Sequence, residues 1–548
     1  MHVSFRLYAA LGSLLLLAAG VESATVTVTP ATKYQTIIGF GAGSVYYNNW
    51  VTAHKNKAAI YDTMFTGLGL SLMRMGNWNQ DTTATLAIDS EIVAEGKKRM
   101  GSRLKIFMSS WSAPKFLKAN DSINGGGFTE AQNTLLKENG AYVYAKFAHW
   151  WRRSIEKYQA KGMGPDFMSL QNEPDMNATY ESTIFTKTEG ASAGYPQALL
   201  AVADTIAKMT TKPVVYGPEP LGIGYGNYQG YMNGLNAAKL GGYAYHLYHG
   251  NTNDSKYDDP DGFNTILTTL STTYTGKPFI MTEFCSMRSD IYSSDMLTVA
   301  RLILNLLTSG NASGYINWNL YWGTSGQMIG VENPWTSSSW TTTNGYIIEP
   351  EYHGMRHFSK FVAPGWQRVA ISSDNASIKA GAFMNTAADS MTIVALNLSS
   401  GNLAMTAAPS GFTVKEAWQS QVSGTMSNKL TLTTGQSSFS LLDSSVTTLV
   451  FAKATSSSSA AVSSSALVSS SSAAKSSSSV AVSSSGAVNV VWNASEQPVT
   501  SYQVLDLLGR PVQVYSSQPT RLPAGRWIVV ARNAQGEKLA SWVQDGLQ

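Results

Sequence analysis

The sequence predicts an α/β fold: a (β/α)8 TIM barrel with an associated antiparallel β-sandwich, a Ser-rich linker and a small C-terminal β domain. Three observations support this prediction. Eight short apolar runs alternate with stretches that could form helices, short β-type runs follow residue 358, and 455–487 consists almost entirely of Ser, Ala and Val. Strands that alternate with helices are typical of parallel βα units, and eight units over about 290 residues fit a barrel.

Each apolar run is short enough for one buried strand. The eight runs are Ile38–Ala42, Ser71–Met75, Leu104–Trp111, Phe167–Glu173, Val214–Glu219, Tyr243–Tyr248, Pro278–Glu283 and Tyr315–Tyr321. Between them, Asn139–Gln159 and Met296–Leu307 carry apolar residues at helical spacing, and Gly162 is a plausible stop for the first helix.

The composition of the chain changes at several points, and these changes predict six segments. They are a signal peptide over 1–24, a strand over 25–38 that joins the side β domain, the barrel over 39–357, the sandwich over 358–454, the linker over 455–487 and the C-terminal β domain over 488–548. The first segment has a weakly basic start and an apolar run too short to span a bilayer, so we expect a secreted or cell-surface protein. The linker lacks the large apolar residues that a core needs.

The charge and the cysteine count exclude several classes of function. A formal net charge of +4 over 548 residues, with no basic cluster, argues against a nucleic-acid partner. The single cysteine, Cys285, cannot form an intrachain disulfide and is expected to be a buried thiol. We expect no membrane span after the signal, no cofactor and no metal, because the seven histidines lack zinc spacing and the acidic loop Asn253–Asp261 lacks EF-hand spacing. We expect a monomer.

Two glutamates stand at the ends of predicted strands. Glu173 lies in an Asn-Glu-Pro sequence, and Glu283 ends the run Pro278–Glu283. Proline cannot continue a central strand, so the chain must turn after Glu173, and the second run stops at Glu283 in the same form. Both carboxylates are therefore expected at the carboxyl edge of the barrel, where such folds place their chemistry. A pair of carboxyl groups facing one bond is the arrangement of glycoside hydrolysis, whereas the alternative is two solvated loop glutamates.

The sequence around these glutamates resembles glycoside hydrolase family 30. The resemblance rests on Ser169–Asp175, His246–Tyr248 and Met281–Phe284, with Tyr34–Gly41 and His357–Phe361 at its two ends. It extends from about Ala24 to Ala454, and Ala178–Ser182 is similar to the xylanase branches of the family. Near the C-terminus, the stretches 502–512 and 522–530 resemble a bacterial sorting domain, the alternative being a small β module that binds carbohydrate or acts as a spacer.

The resemblance implies a catalytic role for each glutamate. Glu173 would be the general acid and base, and Glu283 the nucleophile. Asn172 would bind the sugar 2-hydroxyl, a contact that strengthens in the transition state. Glu219, which stands between two prolines at the end of the fifth predicted strand, is expected to act through its neighbours.

The resemblance also implies four supporting residues. Tyr248 and Arg74 would keep the nucleophile ionised, although Arg74 could instead be a satisfied core arginine. Trp111 and Trp318 would be platforms for the sugar at the cleavage point, and either could instead pack inside the barrel.

The function implied is that of a secreted retaining endo-1,4-β-xylanase that acts on plant cell-wall xylan, either glucuronoxylan or arabinoxylan. Family members specific for glucuronoxylan recognise the acidic branch with an arginine after the eighth strand, but Trp318–Gln327 contains none and Arg288 is displaced from that position. Asn317–Leu320 keeps a β-1,6-glucanase or a β-glucosidase- or glucosylceramidase-like activity open. A non-catalytic carbohydrate-binding surface protein is the alternative of another class.

Overall fold

The computed structural model describes residues 23–80, 86–248, 259–285, 295–322, 327–454, 501–505, 511–515, 525–532 and 538–546. Residues 1–22 of the predicted signal peptide, the Ser-rich linker, Arg288 and most of the acidic loop Asn253–Asp261 lie outside these residues, whereas the last two residues of the predicted signal, Ser23 and Ala24, begin a strand. The chain divides into two compact units, Met1–Ser457 and Ser458–Gln548. Within the described ranges, every helix is too short or too polar to cross a bilayer.

Eight parallel strands close into a barrel, which confirms the predicted fold class. They are β1 (Gly39–Ser44), β2 (Leu72–Gly76), β3 (Lys105–Ser109), β4 (Phe167–Ser169), β5 (Val214–Pro218), β6 (Gly242–His246), β7 (Phe279–Glu283) and β8 (Ala312–Asn317). Each strand pairs with the next along the chain, and β8 closes the barrel on β1. All eight overlap the predicted runs, although most end a few residues earlier than the apolar pattern does.

Helices separate most of the barrel strands. The α-helices are α1 (Asn48–Ala53), α2 (Lys57–Tyr61), α3 (Leu86–Met100), α4 (Tyr144–Ala160), α5 (Tyr195–Ile206), α6 (Asn227–Met232), α7 (Asn264–Thr273), α8 (Asp295–Thr308) and α9 (Pro350–Ser359). The predicted helices correspond to α4 and α8, and Gly162, with a φ of 74°, follows α4 as expected of a helix stop. Because α4 buries one face, including Phe147, Trp150 and Ile155, its period-3.6 pattern reflects packing on the barrel.

The interior of the barrel is filled by side chains rather than open. One buried cluster consists of Leu72, Phe107, Tyr216, Ala244, Ile280 and Ile316, each from a different strand. A much larger core lies between the strands and the surrounding helices. Because side chains fill the interior, the barrel has no central channel. The face formed by the carboxyl ends of the strands is where such folds place their sites.

The strands of the predicted side β-sandwich hydrogen-bond into one curled nine-stranded sheet. Its strands are Ser23–Thr36, Gln367–Ser373, Ile378–Met384, Ser390–Asn397, Leu403–Ala407, Phe412–Gln421, Asn428–Lys429, Ser438–Leu441 and Ser445–Lys453. The N-terminal strand connects what would otherwise be two sheets, because it pairs antiparallel with Gln367–Ser373 and parallel with Leu403–Ala407. The predicted strand at Leu430–Leu432 is replaced by the two-residue strand that precedes it.

A charged cluster joins the barrel to this sheet. Asp261 accepts hydrogen bonds from Arg301 on α8 and from Lys379 on the strand Ile378–Met384, and Asn305 donates to the same carboxylate at 2.7 Å. The three charged side chains are each 27–29% exposed. We call these four residues the joint cluster.

The second unit contains a four-stranded antiparallel sheet. Its strands are Ser501–Leu505, Pro511–Tyr515, Gly525–Arg532 and Lys538–Gly546. The β texture predicted for this segment is therefore present in its described parts.

Candidate active site

The two predicted catalytic glutamates follow β4 and end β7. Glu283 is the last residue of β7, as predicted. Strand β4 ends at Ser169, so Asn172 and Glu173 belong to the following loop rather than to the strand, which corrects the predicted run Phe167–Glu173. The loop is nevertheless fixed, because the Asn172 N–H donates to the Ser110 carbonyl at 2.8 Å.

The backbone at Glu173 has an unusual conformation. Its φ is 45°, a left-handed value that costs a non-glycine residue roughly 1–2 kcal/mol. The Glu173 N–H donates to the Glu219 carbonyl at 3.1 Å, and the Glu173 carbonyl accepts from Met176 at 3.0 Å, so both sides of the peptide are held. Such strain is concentrated at functional sites, where the surrounding structure maintains it.

The loop brings the carboxyl group of Glu173 close to that of Glu283. One oxygen of each carboxylate and one ring nitrogen of His246 all lie within 4.8 Å of one another. Retaining glycosidases hold their two carboxyl groups about 5–5.5 Å apart, whereas inverting enzymes need about 6.5–9.5 Å to admit a water. The spacing matches the retaining class.

Both oxygens of Glu283 accept hydrogen bonds. Arg74 Nη1 donates to Oε2 at 2.6 Å, and the Tyr248 hydroxyl donates to Oε1 at 2.9 Å. These are the contacts that the sequence predicts for Arg74 and Tyr248. Two donors, one of them cationic, stabilise negative charge on Glu283.

Arg74 is completely buried and is shared among several acceptors. Its Nη2 donates to Asn172 Oδ1 at 2.5 Å and to Glu219 Oε1 at 3.1 Å. Its Nε donates to Ser109 Oγ at 3.3 Å. A buried cation needs such compensation, and here the partners are the candidate catalytic residues and their neighbours.

Glu219 is the third buried carboxylate of the site. It accepts from Ser109 Oγ at 2.9 Å and lies 3.5 Å from His246 Nε2. Burial would raise the pKa of Glu219, but the charge of Arg74 and the contact with His246 outweigh it and lower the pKa to about 2. Glu219 is therefore ionised throughout the neutral range, in agreement with a supporting role.

His246 connects the three carboxylates. Its Nδ1 lies 2.9 Å from Glu173 Oε1, and its Nε2 faces Glu219 and Glu283 at 3.5 and 4.0 Å. Burial would lower the pKa of His246, but the surrounding carboxylates raise it to about 9. At neutral pH the imidazole therefore carries a proton on each nitrogen and donates to Glu173.

Glu173 differs from the other two acids because Arg74 donates hydrogen bonds to Glu219 and Glu283, whereas His246 donates to Glu173. Burial and the negative charge of Glu283 together raise its pKa to about 7, against the opposing hydrogen bond from His246. A carboxyl group with this pKa is suited to give and to take a proton near neutrality.

A cleft of about 880 Å³ opens above this centre. Glu173 and Glu283 line it, together with eight aromatic side chains: Tyr46, Tyr47, Trp50, Trp111, Tyr180, Tyr248, Trp318 and Trp322. Of the seven predicted site residues, Arg74 and Asn172 are not among the described lining residues; Arg74 contacts Glu283 instead, and Asn172 accepts a hydrogen bond from Arg74. Flat aromatic faces next to a carboxylate pair suit a sugar ring.

The aromatic residues form a connected group. The ring centroids of Trp111 and Trp318 lie 6.0 Å apart, and the guanidinium of Arg74 lies 4.5 Å from the centre of the Trp111 ring. A Cβ on Gly43 would lie 2.2 Å from the Trp318 carbonyl oxygen, so only glycine lets the backbone at Trp318 approach β1. This close approach positions the Trp318 side chain over the site.

Two parts of the site were not predicted from the sequence. The hydrogen bond between His246 and Glu173 was not predicted, although His246 stands at the end of β6. Tyr46 and Tyr47 were also missed, and their signal is an aromatic pair directly after the glycine-rich strand β1.

The described residues of the site offer one potential metal-binding group, Glu173, His246 and Glu283. Arg74 already occupies one oxygen of Glu283, and the raised pKa of His246 favours the protonated imidazole, which cannot ligate. Cys285 is buried, and burial raises the pKa of its thiol, which disfavours a nucleophilic thiolate. The carboxylates are therefore the reactive groups of this cleft.

Comparisons with known proteins agree with this geometry. Residues 88–193 match the family model described as the glycosyl hydrolase family 30 TIM-barrel domain. The chain is 26% identical over 402 residues to glucuronoxylanase XynC of Bacillus subtilis (strain 168), covering 69% of this chain and 79% of that protein. It is 27% identical over 280 residues to endo-1,6-beta-D-glucanase BGN16.3 of Trichoderma harzianum, covering 49% of this chain and 52% of that protein.

The solved structures show the same fold. The catalytic domain of GH30 xylanase C from Talaromyces cellulolyticus superposes with a TM-score of 0.63 at 19% identity, covering 78% of this chain and all of that one. The chain spans only about half of the length of the Trichoderma glucanase, 52%. The match of residues 88–193 to the family model agrees with the barrel and the side sheet, and it makes the chain similar to glycosyl hydrolase family 30.

Proposed function

We propose that this protein is a retaining glycoside hydrolase that cleaves β-1,4-xylan by double displacement. The observation that carries the proposal is the pair Glu173 and Glu283, whose carboxylate oxygens lie within 4.8 Å across an aromatic cleft. Inverting enzymes hold their two carboxyl groups farther apart, at about 6.5–9.5 Å, whereas retaining enzymes hold them at about 5–5.5 Å.

In the first step, the protonated carboxyl of Glu173 donates its proton to the glycosidic oxygen while Glu283 attacks the anomeric carbon. The bond between that carbon and the leaving oxygen breaks, and a glycosyl ester forms on Glu283. In the second step, water attacks the same carbon, Glu173 takes a proton from the water, and the ester bond to Glu283 breaks.

The supporting residues act on these two groups. Arg74 and Tyr248 stabilise the negative charge of Glu283 before attack and after release. Asn172 is held beside the nucleophile by Arg74 and is proposed to contact the sugar 2-hydroxyl. Trp111 and Trp318 are proposed to provide the apolar faces against which the sugar ring rests.

Xylan is the proposed substrate because the xylanase relative is matched over more of both chains than the glucanase is. The segment Ala178–Ser182, which resembles the xylanase branches, also contributes Tyr180 and Glu181 to the cleft. A β-1,6-glucan is the second candidate, because the glucanase relative matches at a similar identity, 27%.

The test is hydrolysis of a panel of polysaccharides by the purified wild-type protein. Linear xylan, glucuronoxylan, arabinoxylan and β-1,6-glucan are compared, and product sizes are measured by chromatography. We expect the protein to cleave the xylans with retention of the anomeric configuration, which proton NMR of the products measures. Cleavage of β-1,6-glucan alone would overturn the substrate, and inversion of the configuration would overturn the mechanism.

A non-catalytic carbohydrate-binding protein is tested in the same assay. Release of reducing ends by the wild type and its loss in Glu283→Gln would exclude that alternative. Binding of xylan without any hydrolysis by the wild type would support it.

A further inference from the structure

A second pocket adjoins the catalytic cleft. Its volume is about 450 Å³, within the range of roughly 300–1,000 Å³ that is usual for small-molecule sites. It shares Tyr46, Tyr47, Asn49 and Glu181 with the cleft, so these residues form the wall between the two cavities. The Tyr46 hydroxyl donates to Glu181 Oε2 at 3.2 Å, which links the loop after β1 to the loop after β4 across this wall.

Polar groups in the pocket lack a full set of partners. Asp89 is 7% exposed, and its one hydrogen bond among the described residues comes from Asn48. Asn77 is 1% exposed, and its Nδ2 has no hydrogen-bond partner in the described structure. An unpaired buried amide costs about 1–3 kcal/mol, and in native proteins it is ordinarily explained by a ligand or an ordered water.

An aromatic face accompanies these polar groups. Trp78 lines the pocket, with its ring centroid 5.4 Å from that of Trp111 and 5.7 Å from that of Tyr46. A Cβ on Gly76 would lie 2.2 Å from the Trp78 ring, so glycine at the end of β2 is what allows the indole to lie there. The aromatic surface therefore continues from the catalytic cleft into the pocket.

The charges around the pocket indicate a neutral ligand. Asp89 and Glu181 line it, and no Lys or Arg does so among the residues that the structure describes there. Lys118 contacts a lining residue, but its ammonium donates to Ser112 Oγ and to the Ile123 and Ser182 carbonyls, which uses all three protons. A uronic acid or a phosphate would meet repulsion, whereas neutral sugar hydroxyls would find acceptors.

We propose that this pocket binds a neutral sugar unit of the same glycan whose neighbouring unit lies in the catalytic cleft, with Asp89 as its principal hydrogen-bond acceptor and Trp78 as its apolar face. The inference rests on the proposed function for the position of the neighbouring unit. The sugar comes either from continuation of the main chain or from a neutral branch, and both present the same hydroxyl chemistry.

The test measures binding rather than turnover. Glu283→Gln, in which hydrolysis is expected to stop, is titrated by calorimetry with xylobiose, linear xylohexaose, an arabinose-substituted xylo-oligosaccharide and a six-unit β-1,6-gluco-oligosaccharide. The same titrations are repeated after adding Asp89→Asn, which keeps an acceptor oxygen for Asn48. Asp389→Asn, an exposed aspartate in a turn of the side sheet, is the matched control.

We expect Asp89→Asn to weaken binding of a six-unit ligand at least tenfold and binding of the disaccharide much less, with the control within twofold. A loss confined to the arabinose-substituted ligand would place a branch in the pocket, and a loss with a linear ligand would place the main chain there. Equal losses for long and short ligands, losses below twofold, or no binding of any ligand would overturn the inference.

A second variant protects the test against misfolding. Asn77→Asp keeps the acceptor that Asn79 N–H uses at 3.2 Å and replaces the amide donor with a second oxygen, which also adds an acidic group to the pocket. Its melting temperature is compared with that of the parent, and its affinity for the long ligand is expected to fall. If the wild type hydrolyses no xylan but binding still depends on Asp89, the proposed function fails and this inference stands. If the wild type hydrolyses xylan but binding does not depend on Asp89, the proposed function stands and this inference fails.

Discussion

The buried centre under the cleft and the joint cluster both combine acids with bases, but their balance differs. The centre holds three carboxylates, Glu173, Glu219 and Glu283, with two bases, Arg74 and His246. In the joint cluster, by contrast, Arg301 and Lys379 converge on Asp261.

This difference explains the acidities of the two regions. In the joint cluster, burial would raise the pKa of Asp261, but its cationic partners hold it well below the usual range. In the centre, Arg74 and His246 lower the pKa of Glu219. Burial and the charge of Glu283 raise the pKa of Glu173 to about 7. An excess of buried acids over bases thus produces a proton donor, whereas an acid held by two cations stays ionised in a fixed ion pair.

The largest effect is expected from removing the nucleophile. Glu283→Gln should lower kcat on xylan by on the order of 10⁴-fold or more, because no other described carboxylate is placed to attack the same carbon. Glu416→Gln on the side sheet is the control and should retain full activity. Residual activity within tenfold of the wild type would break the assignment of Glu283.

The next effect concerns stability of the buried centre. Arg74→Met would leave Glu219 and Glu283 without their shared cation, and breaking a buried pair costs about 3–5 kcal/mol. The free energy of unfolding, measured by urea denaturation at pH 7, should fall by that amount. A fall below about 1 kcal/mol, the range of surface ion pairs, would show that the two regions are energetically alike.

The third prediction is the pH dependence of catalysis. Glu173 must be protonated for the first step and its pKa is about 7, so kcat/KM should fall tenfold per pH unit above pH 7. Aryl xylosides with good leaving groups need no protonation and should lose this alkaline limb. A profile on xylan that stays flat from pH 6 to 9 would contradict the assignment of Glu173.

The smallest effect is expected at the joint cluster. Lys379→Met should lower the free energy of unfolding by at most about 1 kcal/mol, because the pair is partly exposed and Arg301 remains. A lowered pKa favours folding fully above the pKa of an unfolded aspartate, about 3.9, and this contribution is lost progressively as the pH falls from there toward the lowered pKa. The difference between Lys379→Met and the wild type should therefore shrink below pH 4, which denaturation curves across that range would check.

The sequence predicted the parts of the fold that depend on local patterns. The eight barrel strands are visible because buried strands are apolar throughout, and Glu173 and Glu283 stand out because each interrupts such a run. The side β domain was predicted as well, but no local signal shows that Ser23–Thr36 pairs on both of its edges and so joins its strands into one sheet.

Contacts between distant loops could not be predicted in the same way. The hydrogen bond between His246 and Glu173 forms where the backbone of Glu173 is left-handed. A left-handed residue in a loop is not visible in the composition of the sequence. The pairing of Tyr46 with Glu181 joins residues 135 positions apart and depends on the course of two loops. These contacts depend on how the loops pack, whereas the positions of the strands are visible in the apolar pattern of the sequence.

The proximity of Glu283 to Glu173 has a consequence for timing. The charge of Glu283 contributes to the raised pKa of Glu173. When Glu283 becomes an ester in the proposed reaction, that charge vanishes and the pKa of Glu173 falls, so the carboxylate left by proton donation stays ionised at the start of the half-reaction that requires a base. Covalent occupancy of one side chain thereby resets the protonation of the other, and the cycle needs no outside signal to alternate the two roles.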